Sequence, residues 1–289
     1  MSSLDAENEG ANDGELLVFH DVDGCLNAPD GTPLALAGHE FTDAEARRLR
    51  QFGAVLDGSA ARQLVLNTGR SWEATRFICD AINSNKIQYA LVEHGAELWD
   101  VTKNKPVPFG NTTVSVIPAL SQALASRAAI AGLIDWFESE GAFRLAAAVD
   151  YSERLPYARD KSWNLTFSVP DALDGDEVFN NLKALIRREP QFQQAGFVYH
   201  YSRWNRFIDV MGTMDKGLGM IATLAHLRMD SPRVAAIGDG LNDLSMLKRA
   251  TIPVCPANAE AQVIELCQSS GYASKHHFID GTTDWLAQL

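Results

Sequence analysis

Residues 15–20 read ELLVFH, a continuous apolar run with β-branched and aromatic members. That texture suits a strand buried on both faces, as in a parallel sheet. The run stops abruptly in the polar turn Asp21-Val22-Asp23-Gly24. Residues 42–52 (TDAEARRLRQF) open on a Thr cap and an early acid and then keep helical spacing. The apolar run 63–66 again ends in polar groups, Asn67-Thr68-Gly69-Arg70. A helix is predicted over 72–82, then a strand over 89–92 closed by the turn Glu93-His94-Gly95. This β-α-β-α-β order predicts an α/β fold, an open, doubly wound, Rossmann-like parallel sheet.

The same grammar returns late in the chain. Residues 233–237 (RVAAI) form a short apolar strand that ends in Gly238-Asp239-Gly240-Leu241-Asn242-Asp243. A helix over 244–250, a strand over 252–254, a helix over 259–269 and a last segment over 277–279 follow. Between the two patterned regions the texture changes. Long helical stretches (117–139, 175–188) alternate with strand-like pieces (162–168, 197–202). The reading is an α+β cap, residues 101–204, inserted into a core built from 15–100 and 205–289, with 1–14 as a disordered N-terminal tail.

Composition adds limits. The chain has 289 residues, 46% hydrophobic and 21% charged, which is ordinary for a globular protein and excludes a fibrous or wholly disordered one. Lys and Arg number 25 against 37 Asp and Glu, a net charge of −12. That balance repels polyanions, so nucleic acid and anionic membrane surfaces are not expected as partners. It leaves room for a small phosphorylated substrate whose charge a metal ion offsets. No apolar window is long enough for a membrane span, and the acidic N-terminus lacks the features of a signal peptide. The four cysteines (Cys25, Cys79, Cys255, Cys267) are scattered with no Cys-x-x-Cys pair, so a disulfide framework or structural zinc site is not expected. The expected location is cytoplasmic.

In open α/β sheets ligands sit beyond the C-terminal ends of the strands. The turns at Asp21, Thr68 and Asp239 all follow predicted strands, so one fold gathers them at one edge. That edge holds four carboxylates: Asp21, Asp23, Asp239 and Asp243. Like charges disfavour mutual ionisation, and a hard divalent cation with oxygen ligands, Mg²⁺ above all, resolves the conflict. Lys216 and Arg70 are too few to do so alone.

Together, Asp21-Val22-Asp23-Gly24-Cys25-Leu26, Asn67-Thr68-Gly69-Arg70, Asp215-Lys216-Gly217 and Gly238-Asp239-Gly240-Leu241-Asn242-Asp243 resemble the four motifs of the haloacid dehalogenase-like hydrolases. The insertion between the second and third motifs is similar to the cap of the type IIB group, which includes Cof-like sugar phosphatases, sucrose-phosphate phosphatase and mannosyl-3-phosphoglycerate phosphatase. Glu93-His94-Gly95-Ala96 and Asn258-Ala259 resemble secondary signatures of that group. The resemblance implies a Mg²⁺-dependent phosphatase acting on a small phosphorylated metabolite, a sugar phosphate or glycosyl-phosphate. Asp21 is then the nucleophile and Asp23 the general acid and base. Thr68, Gly69, Lys216 and Asn242 bind phosphate, and the metal is held at Asp21, Asp23 (through its carbonyl), Asp239 and Asp243. Asp243 either orients a metal-bound water or Asn242, or is a carboxylate favourable to a helix start. Cys25 stands where the family has Thr; surrounding carboxylates raise a thiol's pKa, so it is not expected to be a nucleophile.

In the cap, Tyr199-His200-Tyr201-Ser202-Arg203-Trp204-Asn205-Arg206 combines aromatic rings with guanidinium groups. Arg70, Tyr201, Arg203 and Arg206 are candidate substrate contacts, and the competing reading is a half-buried cap strand with ordinary packing. Arg159, Lys161 and Trp163 carry the same two readings. His20 reads as a strand residue with a satisfied ring, and His276-His277 as part of a surface strand. Two other functions fit the same residues: a phosphomutase that uses the same aspartyl-phosphate, and a non-catalytic binding protein. Oligomeric state is not legible.

Overall fold

The computed structural model describes residues 15–28, 30–31, 34, 41–109, 117–202, 206–229 and 233–289. The expected tail (1–14) and the candidates Arg203, Trp204 and Asn205 lie outside the described residues. The chain divides into two compact units, Met1–Thr113 with Lys216–Leu289, and Val114–Asp215.

The first unit is built on β1 (Leu16–His20), whose five residues are all buried. Around it run α1 (Asp43–Gly58), β2 (Ala61–Asn67), α2 (Trp72–Ile82), β3 (Tyr89–Val92), and a hairpin of β4 (Glu97–Asp100) and β5 (Lys105–Val107). Alternation along β1 divides two cores. Leu16 and Val18 join Leu49, Phe52, Leu56, Ile78 and Ile82 on one face of the sheet, and Leu17 and Phe19 pack with Met220, Met246 and Val263 on the other. A strand buried on both faces therefore reads as continuous apolar sequence.

After the second unit the chain returns through two helices of the described residues, Lys216–His226 and the short Leu244–Leu247, with β9 (Arg233–Ile237) between them. It ends with β10 (Ile252–Cys255), the helix Ala261–Ser270, β11 (Tyr272–Ala273) and the helix Phe278–Leu286. Among the described residues the sheet has eight strands in the order β11-β10-β9-β1-β2-β3-β4-β5. All neighbours are parallel up to β3, and the β4–β5 hairpin is antiparallel. The chain winds outward from β1 through β2 and β3, then restarts on the other side with β9. The switch in winding therefore falls beside β1, where such folds open a crevice.

Local chemistry fixes several boundaries. Thr42 caps α1 with a capping box: its side chain accepts from the Glu45 N–H and the Glu45 carboxylate accepts from the Thr42 N–H. Ser71 caps α2, and Asn83 ends it in the left-handed region.

The second unit contains a three-stranded antiparallel sheet, β6 (Asn164–Ser168), β8 (Phe207–Met211) and β7 (Val198–Ser202) in that order. One sheet face (Leu165, Phe167, Ile208, Val210) packs on Ile130, Leu133, Leu145, Val178 and Leu182 from helices Arg127–Trp136, Ala142–Ala148 and Gly175–Arg188. The opposite face carries Asn164, Thr166, Asp209 and His200. The expected helix over 117–139 divides into Pro118–Ala125 and Arg127–Trp136, the latter running into a π turn at Phe137–Gly141. His276 and His277 are exposed in the loop before the last helix, which corrects their placement on a strand.

Two stability predictions follow from this packing. A Cβ at Gly53 lies 2.1 Å from the Ile82 carbonyl oxygen, whereas one at Gly58 meets nothing within 4 Å. Gly53→Ala therefore costs about 1–3 kcal/mol despite the better helix propensity of Ala. Gly58→Ala stabilises by up to about 1 kcal/mol, and urea unfolding midpoints of the two variants move in opposite directions. The second prediction concerns His20, where burial lowers the imidazole from 6.5 to about 4. An unfolded chain takes that proton near pH 6.5 while the folded one does not, so stability present above this value fades on acidification toward pH 4. Between pH 7 and pH 5 this removes about 2 kcal/mol, and the His20→Gln variant shows a smaller loss in the same urea titration.

Candidate active site

Strand register assembles the site. His20 pairs with Leu66 on one side and Ile237 on the other, so the residues that follow, Asp21, Asn67 and Gly238, leave the sheet side by side. The Asp21 N–H donates to the Ile237 carbonyl at 2.9 Å, which extends the strand by one residue and sets the buried carboxylate at the sheet edge. Beyond it the chain turns at Gly24, whose φ of +83° favours glycine. A Cβ at Gly24 sits 2.0 Å from the Asp239 carboxylate, so only a bare backbone lets the two acidic turns approach.

Lys216 begins its helix fully buried and bridges two carboxylates, with Nζ 2.5 Å from Asp21 Oδ1 and 2.6 Å from Asp243 Oδ1. Burial works against its charge, but Asp21 and Asp243 outweigh burial and hold the ammonium protonated above the ordinary lysine value. Asp243 Oδ2 accepts from the N–H groups of Asp239 and Gly240, both at 3.0 Å. Asp243, expected among the metal ligands, thus clamps Lys216 with one oxygen and the Asp239 turn with the other. Burial pushes Asp21 up to about 7, with Asp243 adding to the rise and Lys216 opposing it. Burial and then Asp21 likewise raise Asp239 well above the carboxylate range.

Asp23 is held differently. Arg70 Nε donates to its Oδ2 at 2.8 Å and Nη2 to its Oδ1 at 2.7 Å, a two-point pair. The Asp23 side chain remains 28% exposed. Arg70, expected as a substrate contact, therefore directs its guanidinium at Asp23 and, from Nη2, at the Leu34 carbonyl at 3.1 Å.

Thr68 is buried. Its N–H donates to the Leu91 carbonyl, its Oγ1 accepts from the Arg70 N–H at 3.2 Å, and its carbonyl accepts from the His94 N–H. Gly69 lies against the His94 ring, which a Cβ meets at 2.6 Å. The supporting turn runs through three successive positive φ values at Glu93, His94 and Gly95, backbone held by its surroundings. Asn242 is half-buried on the turn Leu241–Asp243.

Sequence reasoning missed two supports. The Asn67 side-chain amide donates to the Lys216 carbonyl at 3.0 Å and so ties the second turn to the third. The Asn258 amide donates to the Gly24 carbonyl at 2.9 Å and its oxygen accepts from the Phe278 N–H at 2.7 Å. Asn258 stood out as a signature with no task attached; neither amide's long-range partner leaves a local spacing pattern.

The donor set fits a hard cation. Asp21, Cys25 and Asp239 each offer an atom within 4.8 Å of the others. Four carboxylates (Asp21, Asp23, Asp239, Asp243) meet two cations (Lys216, Arg70), which leaves two formal negative charges in excess. A divalent ion with oxygen ligands offsets that excess. Cys25 is buried with its sulfur 3.9 Å from Asp239 Oδ1, and burial together with Asp239 pushes the thiol well above its ordinary value. A protonated thiol is a poor nucleophile.

In the second unit, Tyr199 and Tyr201 pack on the helix-covered face of the sheet, with Tyr201 stacked on Phe179 at 5.9 Å between ring centres. Arg206 closes a loop, its guanidinium donating to the carbonyls of Val169, Pro170 and Leu173. Lys161 lies with Thr166 and Asp209 on the other face.

Comparisons with known proteins give the family and the fold. The family model described as haloacid dehalogenase-like hydrolase matches residues 19–281. A phosphoglycolate phosphatase from Methanopyrus kandleri is 40% identical over 69 residues, 24% of this chain and 26% of that protein, so the match spans about a quarter of each. The sucrose-phosphatase of Synechocystis, solved with sucrose and phosphate, superposes with a TM-score of 0.55 at 16% identity, over 95% of this chain and 97% of that one. A subclass IIB sugar phosphatase superposes with a TM-score of 0.52 at 15% identity, over 94% and 98%. With its motifs in family order on the family's fold, the chain belongs to the haloacid dehalogenase-like hydrolases.

Proposed function

We propose that this protein is a phosphatase that hydrolyses a small phosphorylated metabolite, a sugar phosphate or glycosyl-phosphate, through an aspartyl-phosphate on Asp21. The observation that carries the reading is the buried Asp21 carboxylate, held by Lys216 at 2.5 Å at the end of the central strand with a second carboxylate two residues on. The phosphatase match over 69 residues and the fold shared with sugar phosphatases support it.

The chemistry splits hydrolysis into two displacements. In the first, an Asp21 oxygen attacks phosphorus, the ester P–O bond breaks, and the leaving oxygen takes a proton from Asp23. In the second, water attacks the same phosphorus, its proton goes to Asp23, and the Asp21–phosphorus bond breaks. Lys216 lies on Asp21 Oδ1 and stabilises the oxygens of the phosphoryl group as charge builds on them. The Thr68 hydroxyl and the Gly69 N–H, with Asn242 flanking, bind the remaining oxygens. Mg²⁺ would be held by Asp21, the Asp23 carbonyl and Asp239, with Asp243 anchoring the turn, and would supply positive charge to the phosphate.

A panel of sugar phosphates, glycosyl-phosphoglycerates, 2-phosphoglycolate, nucleotides and p-nitrophenyl phosphate tests the reading by release of inorganic phosphate. Turnover is expected for at least one ester, and Asp21→Asn lowers it more than about 10³-fold. Full turnover in that variant sinks the mechanism. Chelation by EDTA is expected to abolish turnover and added Mg²⁺ to restore it. Calorimetry should show Mg²⁺ binding at least about tenfold weaker in Asp239→Asn, the usual scale for disturbing a metal's surroundings. Unchanged binding removes Asp239 from the ligand set.

A further inference from the structure

We infer that Arg70 is the positioning residue of the proton-transferring carboxylate, fixing the orientation of Asp23 and acting on the reaction through it. The inference rests on the role given to Asp23 above and extends it to a residue that sequence reasoning assigned to the substrate.

The two cations of the site are sorted among its carboxylates. Lys216 takes Asp21 and Asp243, whereas Arg70 takes Asp23. The choice of residue suits each task. A lysine ammonium is a compact charge that follows its partners, while a guanidinium fork fixes both the distance and the plane of the carboxylate it binds. The fork itself is immobilised. Arg70 is buried, its N–H donates to Thr68 Oγ1, its carbonyl accepts from the Glu93 N–H at 2.9 Å, and Nη2 donates to the Leu34 carbonyl. The orientation of Asp23 is thereby set from the turn that also holds Thr68, a proposed contact of the phosphoryl group. Asp23, 28% exposed, keeps part of its surface open for the proton it exchanges. Nε and Nη2 each donate to a separate oxygen of Asp23, and Nη2 also donates to backbone, so the fork sets where the Asp23 carboxylate points.

Such a role has a signature that a general structural role lacks. An alkyl ester needs its leaving oxygen protonated as the P–O bond breaks, whereas p-nitrophenolate leaves without a proton. The comparison is made on kcat/KM, which reports only the steps up to departure of the leaving group. The variants are Arg70→Lys, which keeps a cation without the two-point fork, and Arg70→Met, each first shown to be folded by thermal unfolding. The substrates are p-nitrophenyl phosphate and the alkyl ester turned over fastest in the panel. For the alkyl ester, kcat/KM is expected to fall about 100-fold, the lower range for loss of a placed acid. For p-nitrophenyl phosphate it should fall less than about fivefold on the same reasoning. In rapid mixing the variants should then release a burst of one p-nitrophenolate per enzyme, because the second displacement also needs Asp23 placed. Asp23→Asn should show the same pattern, and adding Arg70→Met to it should cost little more.

Equal losses on both esters, no burst, or additive losses in the double variant overturn the inference. A kcat/KM that falls alike for both esters with KM alone changed assigns Arg70 to the substrate instead. If the wild-type protein releases phosphate from no ester, the phosphatase reading fails and this inference falls with it. If the wild type is active and the losses are equal, only the inference fails.

Discussion

Everything at the sheet edge depends on one buried ammonium. Lys216 enters a region already crowded with carboxylates and bonds to two of them. Removing charged groups from water is costly unless they are paired and hydrogen-bonded, so this pairing permits the close approach of the first and fourth turns. The rest of the site serves that contact. Asn67 holds the Lys216 backbone, and Asp243 secures the ammonium and the Asp239 turn together. Gly24 leaves room for Asp239 to come close. The arrangement sets four carboxylates against two cations, an imbalance that the proposed Mg²⁺ would offset.

The parallel core was legible because its signals are strong where burial is two-sided. The strands at 89–92 and 233–237 and the helix at 72–82 appear at the expected bounds, as does the helix at 175–188 in the second unit. The elements that escaped had weaker patterns. β4 and β5 are short and half-exposed, β8 follows an aromatic and basic stretch with no turn signature, and the helix from Lys216 is so evenly apolar that it shows little periodicity. The last helix, Phe278–Leu286, has no side-chain cap and was reduced to a three-residue segment.

The site divides along the same line. Spacing after the predicted strands singled out the four acids, and the resemblance to the family's motifs added Thr68 and Lys216; the fold brings Lys216 onto Asp21 and Asp243. Spacing is silent about partners. Nothing in the sequence tells that Arg70 reaches Asp23 or that Asp243 reaches the ammonium beside it; both contacts come from the groups that the folded backbone brings within 3 Å. Alternation puts Tyr199 and Tyr201 on one face of β7, but it cannot say that this face is covered by helices. The polar residues of the opposite face, Thr166, Asp209 and His200, come from three strands and converge only through register.

The central position of β1 also has a consequence for how the protein is made. Leu16 pairs with Ala61 on one side but with Arg233 on the other. On a ribosome the first pairing becomes available early, while the second waits until nearly the whole chain has emerged. For most of synthesis, the strand that carries Asp21 presents an open apolar edge, and the residues of the second unit are all complete before that edge is closed. The β4–β5 hairpin, which already borders β3 at the opposite margin, leaves the β1 side as the exposed one. The nascent chain is thus a half-sheet that already bears Asp21, and the arrival of β9 both ends that exposure and brings the Asp239 turn beside it.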